Sequence, residues 1–140
     1  MWDKRFIGLA EYVAQWSKDP STKCGTVITD GKRIVSIGFN GFPAGTDDSE
    51  NIYRDREEKY RRVIHAEQNA MAFSNRDLKG CTIYVWPAPP CSQCAAMIIQ
   101  RGIYRVVTPE PSEDYLSRWA DSVTSSLSMF RETGIEVDYI

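Results

Sequence analysis

One histidine, His65, is all that the 140 residues contain, so a second metal site built on further histidines is not expected. Cysteines number four, and two of them stand at metal-ligand spacing, so a disulfide framework is the poorer use for them. No apolar run approaches the ~18 residues needed to cross a bilayer. Nor is Met1-Trp2-Asp3-Lys4-Arg5 followed by the apolar segment of a secretory signal. Basic residues are not in excess: 17 Lys and Arg stand against 19 Asp and Glu, giving a net charge of -2 and a pI near 5.4. That balance argues against the broad basic surface that drives polynucleotide binding. A small nucleotide needs only a local basic pocket.

What is present fits a soluble α/β domain. Hydrophobic residues make up 42% and charged residues 26% of the chain, ordinary values for a globular protein. The length suffices for one core without staples, so residues 1–140 are expected to form a single catalytic domain. Free thiols and the missing signal segment point to a reducing cytoplasm. Cys24 and Cys81 lie in apolar, strand-like runs and suit buried packing.

Two short stretches carry the chemistry: His65-Ala66-Glu67 and Pro90-Cys91-Ser92-Gln93-Cys94. His65, Cys91 and Cys94 supply the three nitrogen and sulfur ligands of a catalytic zinc site, which keeps its fourth position for water. The metal makes that water acidic enough to act as a nucleophile near neutral pH. Glu67, two residues from His65, can face the water without ligating the metal, and so can move its protons as general acid and base. A Cys-x-x-Cys pair alone would serve equally as a redox pair or as two small buried residues. The five residue types in this order match the signature of zinc nucleobase deaminases. A non-catalytic, zinc-stabilised binding module is the competing reading, and Glu67 counts against it, because a structural site closes its fourth position with another ligand.

Along the chain, Trp2, Phe6, Leu9, Ala10, Val13 and Trp16 recur at helical spacing, which predicts a packed amphipathic helix over 2–17, broken at Asp19-Pro20. Runs 24–29 and 33–39, joined through Asp30-Gly31, predict a β-hairpin. Gly38, Gly41 and Gly45 predict an irregular loop after it, suited to substrate contact. Residues 46–62 are mixed in charge and read either as a solvated, partly helical insertion or as a regulatory or subunit contact. A helix from His65, a strand over 81–86, a helix from Cys91 to Gly102 and a strand over 103–108 follow. The second of these helices puts both thiols at an amino terminus, where N–H groups favour thiolate. Ser112 caps a last helix to Glu132, with Tyr115, Leu116, Trp119, Val123, Leu127 and Phe130 expected inward, before a strand over 135–140.

His65-Ala66-Glu67-Gln68-Asn69-Ala70, Pro90-Cys91-Ser92-Gln93-Cys94 and Gly38-Phe39-Asn40-Gly41 together resemble the cytidine/deoxycytidylate deaminase superfamily, over nearly the whole chain. The resemblance implies a three-layer α/β/α sandwich around a five-stranded mixed sheet, hydrolysis of dCMP to dUMP and ammonia, one Zn²⁺ per subunit and a homo-oligomer, typically a hexamer. It implies that Asn40 holds the deoxyribose hydroxyl, that the Ala66 N–H meets the base carbonyl, and that Tyr115 borders the base or phosphate, although a core tyrosine reads nearly as well there. Ser21 and Lys23 are its candidates for the phosphate. Activation by dCTP and inhibition by dTTP, with Mg²⁺ accompanying the triphosphate, would involve the loop from Gly41 and Phe42 to Asp47 and Asp48. Deamination of a base in tRNA or single-stranded DNA, or of a free cytidine nucleoside, shares the same chemistry; the acidic balance disfavours the polynucleotide.

Overall fold

In the computed structural model, which describes Met1–Ile140, the chain runs α1 (Trp2–Ala14), β1 (Gly25–Asp30), β2 (Arg33–Phe39), α2 (Glu50–Arg54), α3 (Arg56–Arg62), α4 (Ala66–Ala72), β3 (Thr82–Trp86), α5 (Ser92–Gln100), β4 (Arg105–Thr108), α6 (Glu113–Glu132) and β5 (Glu136–Tyr139). The five strands form one sheet in the order β2-β1-β3-β4-β5. β1 is antiparallel to both β2 and β3, whereas β3, β4 and β5 run parallel. No helix is long and apolar enough to cross a membrane.

Strand periodicity sorts the core into two layers. Side chains alternate between the faces of a strand, so Val27, Tyr84 and Val107 meet Phe6 and Ala10 of α1 on one side. Their neighbours Ile28, Ile83, Val85 and Val106 pack on the other side with Ala70, Met71, Ala95, Ile98 and Phe130 of α4, α5 and α6. The result is a three-layer α/β/α sandwich with a five-stranded mixed sheet, as expected.

Several local expectations need correction. Helix α1 buries Phe6, Ala10, Val13 and Ala14, but Trp2 and Trp16 are exposed. The helical stripe is narrower than the row of apolar residues, and Trp16 falls past the helix end, edge-on to Phe39. Gly38 lies within β2, inside the expected 33–39 run, and serves packing instead of the loop that follows. A methyl group on it would come within 2.6 Å of Ala66 O, so its lack of a side chain is what lets α4 lie directly on the strand. Gly25 does the same for α1, against the Ala10 carbonyl. The hairpin turn does use Gly31, at φ +60°.

The last helix departs from regular geometry at Trp119 (φ -125°, ψ 15°). Beyond this kink Val123, Ser126 and Phe130 are buried. Before it, Leu116 and Trp119 are exposed instead of inward. Residues 46–62 form α2 and α3, laced by Arg54–Glu50 and Arg62–Glu58 pairs, and Asp55 caps α3 by accepting from Glu58 N.

Candidate active site

The two chemical stretches converge because α4 and α5 both start at one end of the sheet. His65 caps α4 in an extended conformation, and its N–H donates to Gln68 Oε1 at 2.8 Å. Cys91 caps α5, its sulfur accepting from Cys94 N at 3.5 Å. His65 Nδ1 thereby lies 3.4 Å from Cys91 Sγ and 3.3 Å from Cys94 Sγ. All three ligand atoms fall within 4.8 Å of one another. A tetrahedral ion with zinc's bond lengths to nitrogen and sulfur separates such atoms by roughly 3.5 Å. One imidazole and two thiolates are also the donor set that borderline-soft Zn²⁺ prefers, so the residues fit that metal in spacing and in chemistry.

The electrostatics prepare the cluster. A hydrogen bond from the Cys94 thiol, with His65 close by, holds Cys91 down to about 4 despite burial. Cys94 moves the opposite way, pushed up by sharing that bond with Cys91 and by burial. Contact with Cys91 raises His65 against the opposing effect of burial.

Glu67 follows in the first turn of α4 and is only 5% exposed. Burial raises its carboxyl above the ordinary range, partly offset by hydrogen bonding and by His65. A carboxyl of this kind takes up and releases a proton more readily than an exposed one near neutral pH.

His65, Glu67 and Cys91 line one cavity of about 240 Å³, together with Asn40, Ala66, Cys24, Asp19, Thr22, Lys59, Tyr60, Trp86, Tyr115 and Trp119. Asn40 is buried and fixed on both sides. Its Oδ1 accepts from Cys24 N at 2.9 Å, and its Nδ2 donates to Thr22 O at 2.9 Å and Asp19 Oδ2 at 3.4 Å. Ala66 is the first residue of α4, a position whose N–H has no partner within the helix. Tyr115 points its hydroxyl at Pro89 O, 3.4 Å away, and burial pushes it up to about 12. It is a cavity residue, not a core one. Cys24 faces the cavity, and burial lifts its thiol to about 12.

The other sequence candidates lie elsewhere. Ser21 and Lys23 are outside the cavity wall: Ser21 is exposed, and Lys23 Nζ donates to Ser17 O. Gly41 pairs with Ile64 across an isolated bridge, Phe42 stacks on Tyr53 at 4.1 Å, Asp47 accepts from Ser49 N and Asp48 pairs with Lys18 at 2.7 Å. Lys59 and Trp119 are cavity residues that sequence reasoning did not single out. One was absorbed into a charged segment and the other into a helical stripe.

A sheet of this order, with two helix starts presenting His65, Cys91 and Cys94 beside a buried carboxyl, is the cytidine deaminase fold. A crystal structure of dCMP deaminase from the cyanophage S-TIM5 superposes with a TM-score of 0.74 at 24% identity, over 99% of this chain and 96% of that one. The profile of the cytidine and deoxycytidylate deaminase zinc-binding region matches residues 1–110, and the chain belongs to that family. An uncharacterized deaminase from the luxG 3′ region of Aliivibrio fischeri is 52% identical across 99% of this chain and 93% of its own length. The Homo sapiens deoxycytidylate deaminase is 38% identical across 96% of this chain and 76% of its own.

Proposed function

We propose that the protein is a zinc-dependent dCMP deaminase, converting dCMP and water to dUMP and ammonia. The observation that carries this reading is the buried Glu67 in one cavity with His65, Cys91 and the fixed Asn40 amide, the first two of which form a donor cluster with Cys94. The named human relative supports the choice of substrate. Zn²⁺ held by the three donors supplies the Lewis acidity that makes water a nucleophile near neutral pH.

The chain's own residues do the rest. Asn40 and the Ala66 N–H orient the deoxyribose and the base so that C4 faces the donor cluster. Glu67 accepts a proton from the attacking water, delivers it to N3 of the ring, and then passes the second water proton to the departing amino group, which leaves as ammonia. The carboxyl ends as it began. The narrow apolar wall of Val85, Pro87 and Ala88 limits bulk water around the base.

Residues 1–140 form the catalytic domain in this reading. The resemblance further carries assembly as a homo-oligomer and a response to dCTP and dTTP through the 41–48 loop. Two ion pairs support the latter: Lys18–Asp48 and Asp19–Lys59 tie that region and α3 to the residues beside Asn40. The test is loss of cytosine absorbance with dCMP, deoxycytidine, CMP and dCTP in parallel, repeated with dCTP and dTTP added. Turnover of dCMP at the highest kcat/KM is expected. Preference for deoxycytidine, or no turnover of any of the four, overturns the reading.

A further inference from the structure

Neither Ser21 nor Lys23, the residues that the sequence offers for the phosphate, lines the cavity, yet another cation does. Lys59, midway along α3, puts its ammonium on the wall with its side chain only 14% exposed, 3.0 Å from Asp19. Apart from the ligand His65 it is the only basic side chain there, and Asp19 and Glu67 are the only carboxyls.

The pair is lopsided. Asp19 is 2% exposed and already accepts from Ser21 N at 2.8 Å, Thr22 N at 3.2 Å and Asn40 Nδ2 at 3.4 Å. Such N–H donors stabilise a carboxylate without help from a cation. An ammonium, in contrast, has three donor hydrogens, and Asp19 is the one partner that Lys59 Nζ has. Nζ is 3.0 Å from each Asp19 oxygen, so at least one of its hydrogens remains for a ligand in the cavity.

The position also suits one part of a nucleotide. His65, Glu67 and Cys91 mark where the base must react. Asp19 accepts from both Asn40 Nδ2 and Lys59 Nζ, so the ammonium lies one carboxylate away from the amide assigned to the sugar. Tyr60, next to Lys59 in the chain, also lines the cavity and is 60% exposed, so the wall is open to solvent beside the ammonium. A nucleotide whose base meets Glu67 and whose sugar meets Asn40 therefore has this one cation beside its sugar for the 5′-phosphate.

Resting on the deaminase reading above, we propose that Lys59, backed by Asp19, binds the 5′-phosphate and makes the site select a nucleoside monophosphate over the nucleoside. Asp19 acts as a positioning residue: one carboxylate anchors both the Asn40 amide and the ammonium, and so sets the distance between sugar and phosphate contacts.

The experiment compares the parent protein with Lys59→Met and Lys59→Arg. Kinetics use dCMP and deoxycytidine, and calorimetric titration uses dUMP and deoxyuridine. For Lys59→Met the ratio of kcat/KM between dCMP and deoxycytidine should fall roughly 10- to 100-fold, the worth of a charge-assisted hydrogen bond, mostly through KM. The dUMP affinity should fall by a similar factor, and Lys59→Arg should recover much of both. Should Lys59→Met not fold, Lys59→Met/Asp19→Asn, which removes both charges, takes its place. An unchanged ratio and unchanged dUMP affinity overturn the assignment. Failure of the parent to turn over either compound overturns the deaminase reading instead, and the titration then decides the phosphate contact by itself.

Discussion

Arg105 of β4 grips Asp3 of α1 with both terminal nitrogens, at 2.9 and 2.7 Å, across 102 residues of sequence. Tyr84 of β3 donates to the same carboxylate at 2.7 Å, and Arg105 Nε reaches Asp138 of β5 at 2.8 Å. One helix is thereby fastened to three adjacent strands.

The first prediction concerns stability. These bonds hold Asp3 at about 2, below its ordinary carboxyl range, with the Arg105 contact the largest cause. Because the folded-state value is depressed, the contribution of Asp3 is fully present above about pH 4 and is lost as pH falls through about 2. Asp3→Asn should cost on the order of 2 kcal/mol at pH 7. Thermal unfolding of parent and variant at pH 7 and near pH 2.5 should show the gap closing in acid; an equal gap at both pH values would contradict this account.

The second concerns Glu67. Glu67→Gln keeps shape and burial but removes the proton carrier, so kcat for dCMP should drop roughly 10²- to 10⁴-fold while zinc per protein stays near that of the parent. Metal analysis beside the absorbance assay checks both halves. Full activity in this variant sinks the proposed proton route.

A third addresses the donor set. Cys91→Ala removes one of three ligand atoms and the thiol that accepts from Cys94 N. Bound zinc and turnover should both fall to background. Stoichiometric zinc in the folded variant would assign the metal to other residues. In the parent, a strong chelator should lower the thermal midpoint, because an ion held by His65, Cys91 and Cys94 would bridge the starts of α4 and α5.

The fourth tests a close approach. Gly38→Ala places a methyl group against the backbone of Ala66 and Ala70, so α4 must shift and take Glu67 with it. A loss of about 1–3 kcal/mol is expected, together with reduced kcat. A variant matching the parent in both would mean that the strand and helix have room to spare.

How much of this the sequence revealed follows from the range of each contact. His65, Glu67, Cys91 and Cys94 were legible because each pair is a few residues apart and each sits at a helix start, where local pattern and chemistry coincide. The Ser112 cap and the turn at Gly31 are local in the same sense. Lys59 was not legible, since only the folded chain brings it to Asp19, 40 positions away. Gly38 and Gly25 read as flexible residues, yet their role is to be thin where a helix passes over a strand. Trp119 fits a helical stripe by spacing, and only a backbone irregularity, which spacing does not encode, turns it out of the core.

That irregularity divides the labour within a single helix. On the far portion Phe130 packs into the core against the sheet and buried Ser126 donates to Pro90 O, whereas Tyr115 and Trp119 on the near portion face the cavity. Changes ahead of the bend can reshape the mouth without disturbing the interior, so preference among related nucleotides is free to drift there while the foundation stays fixed.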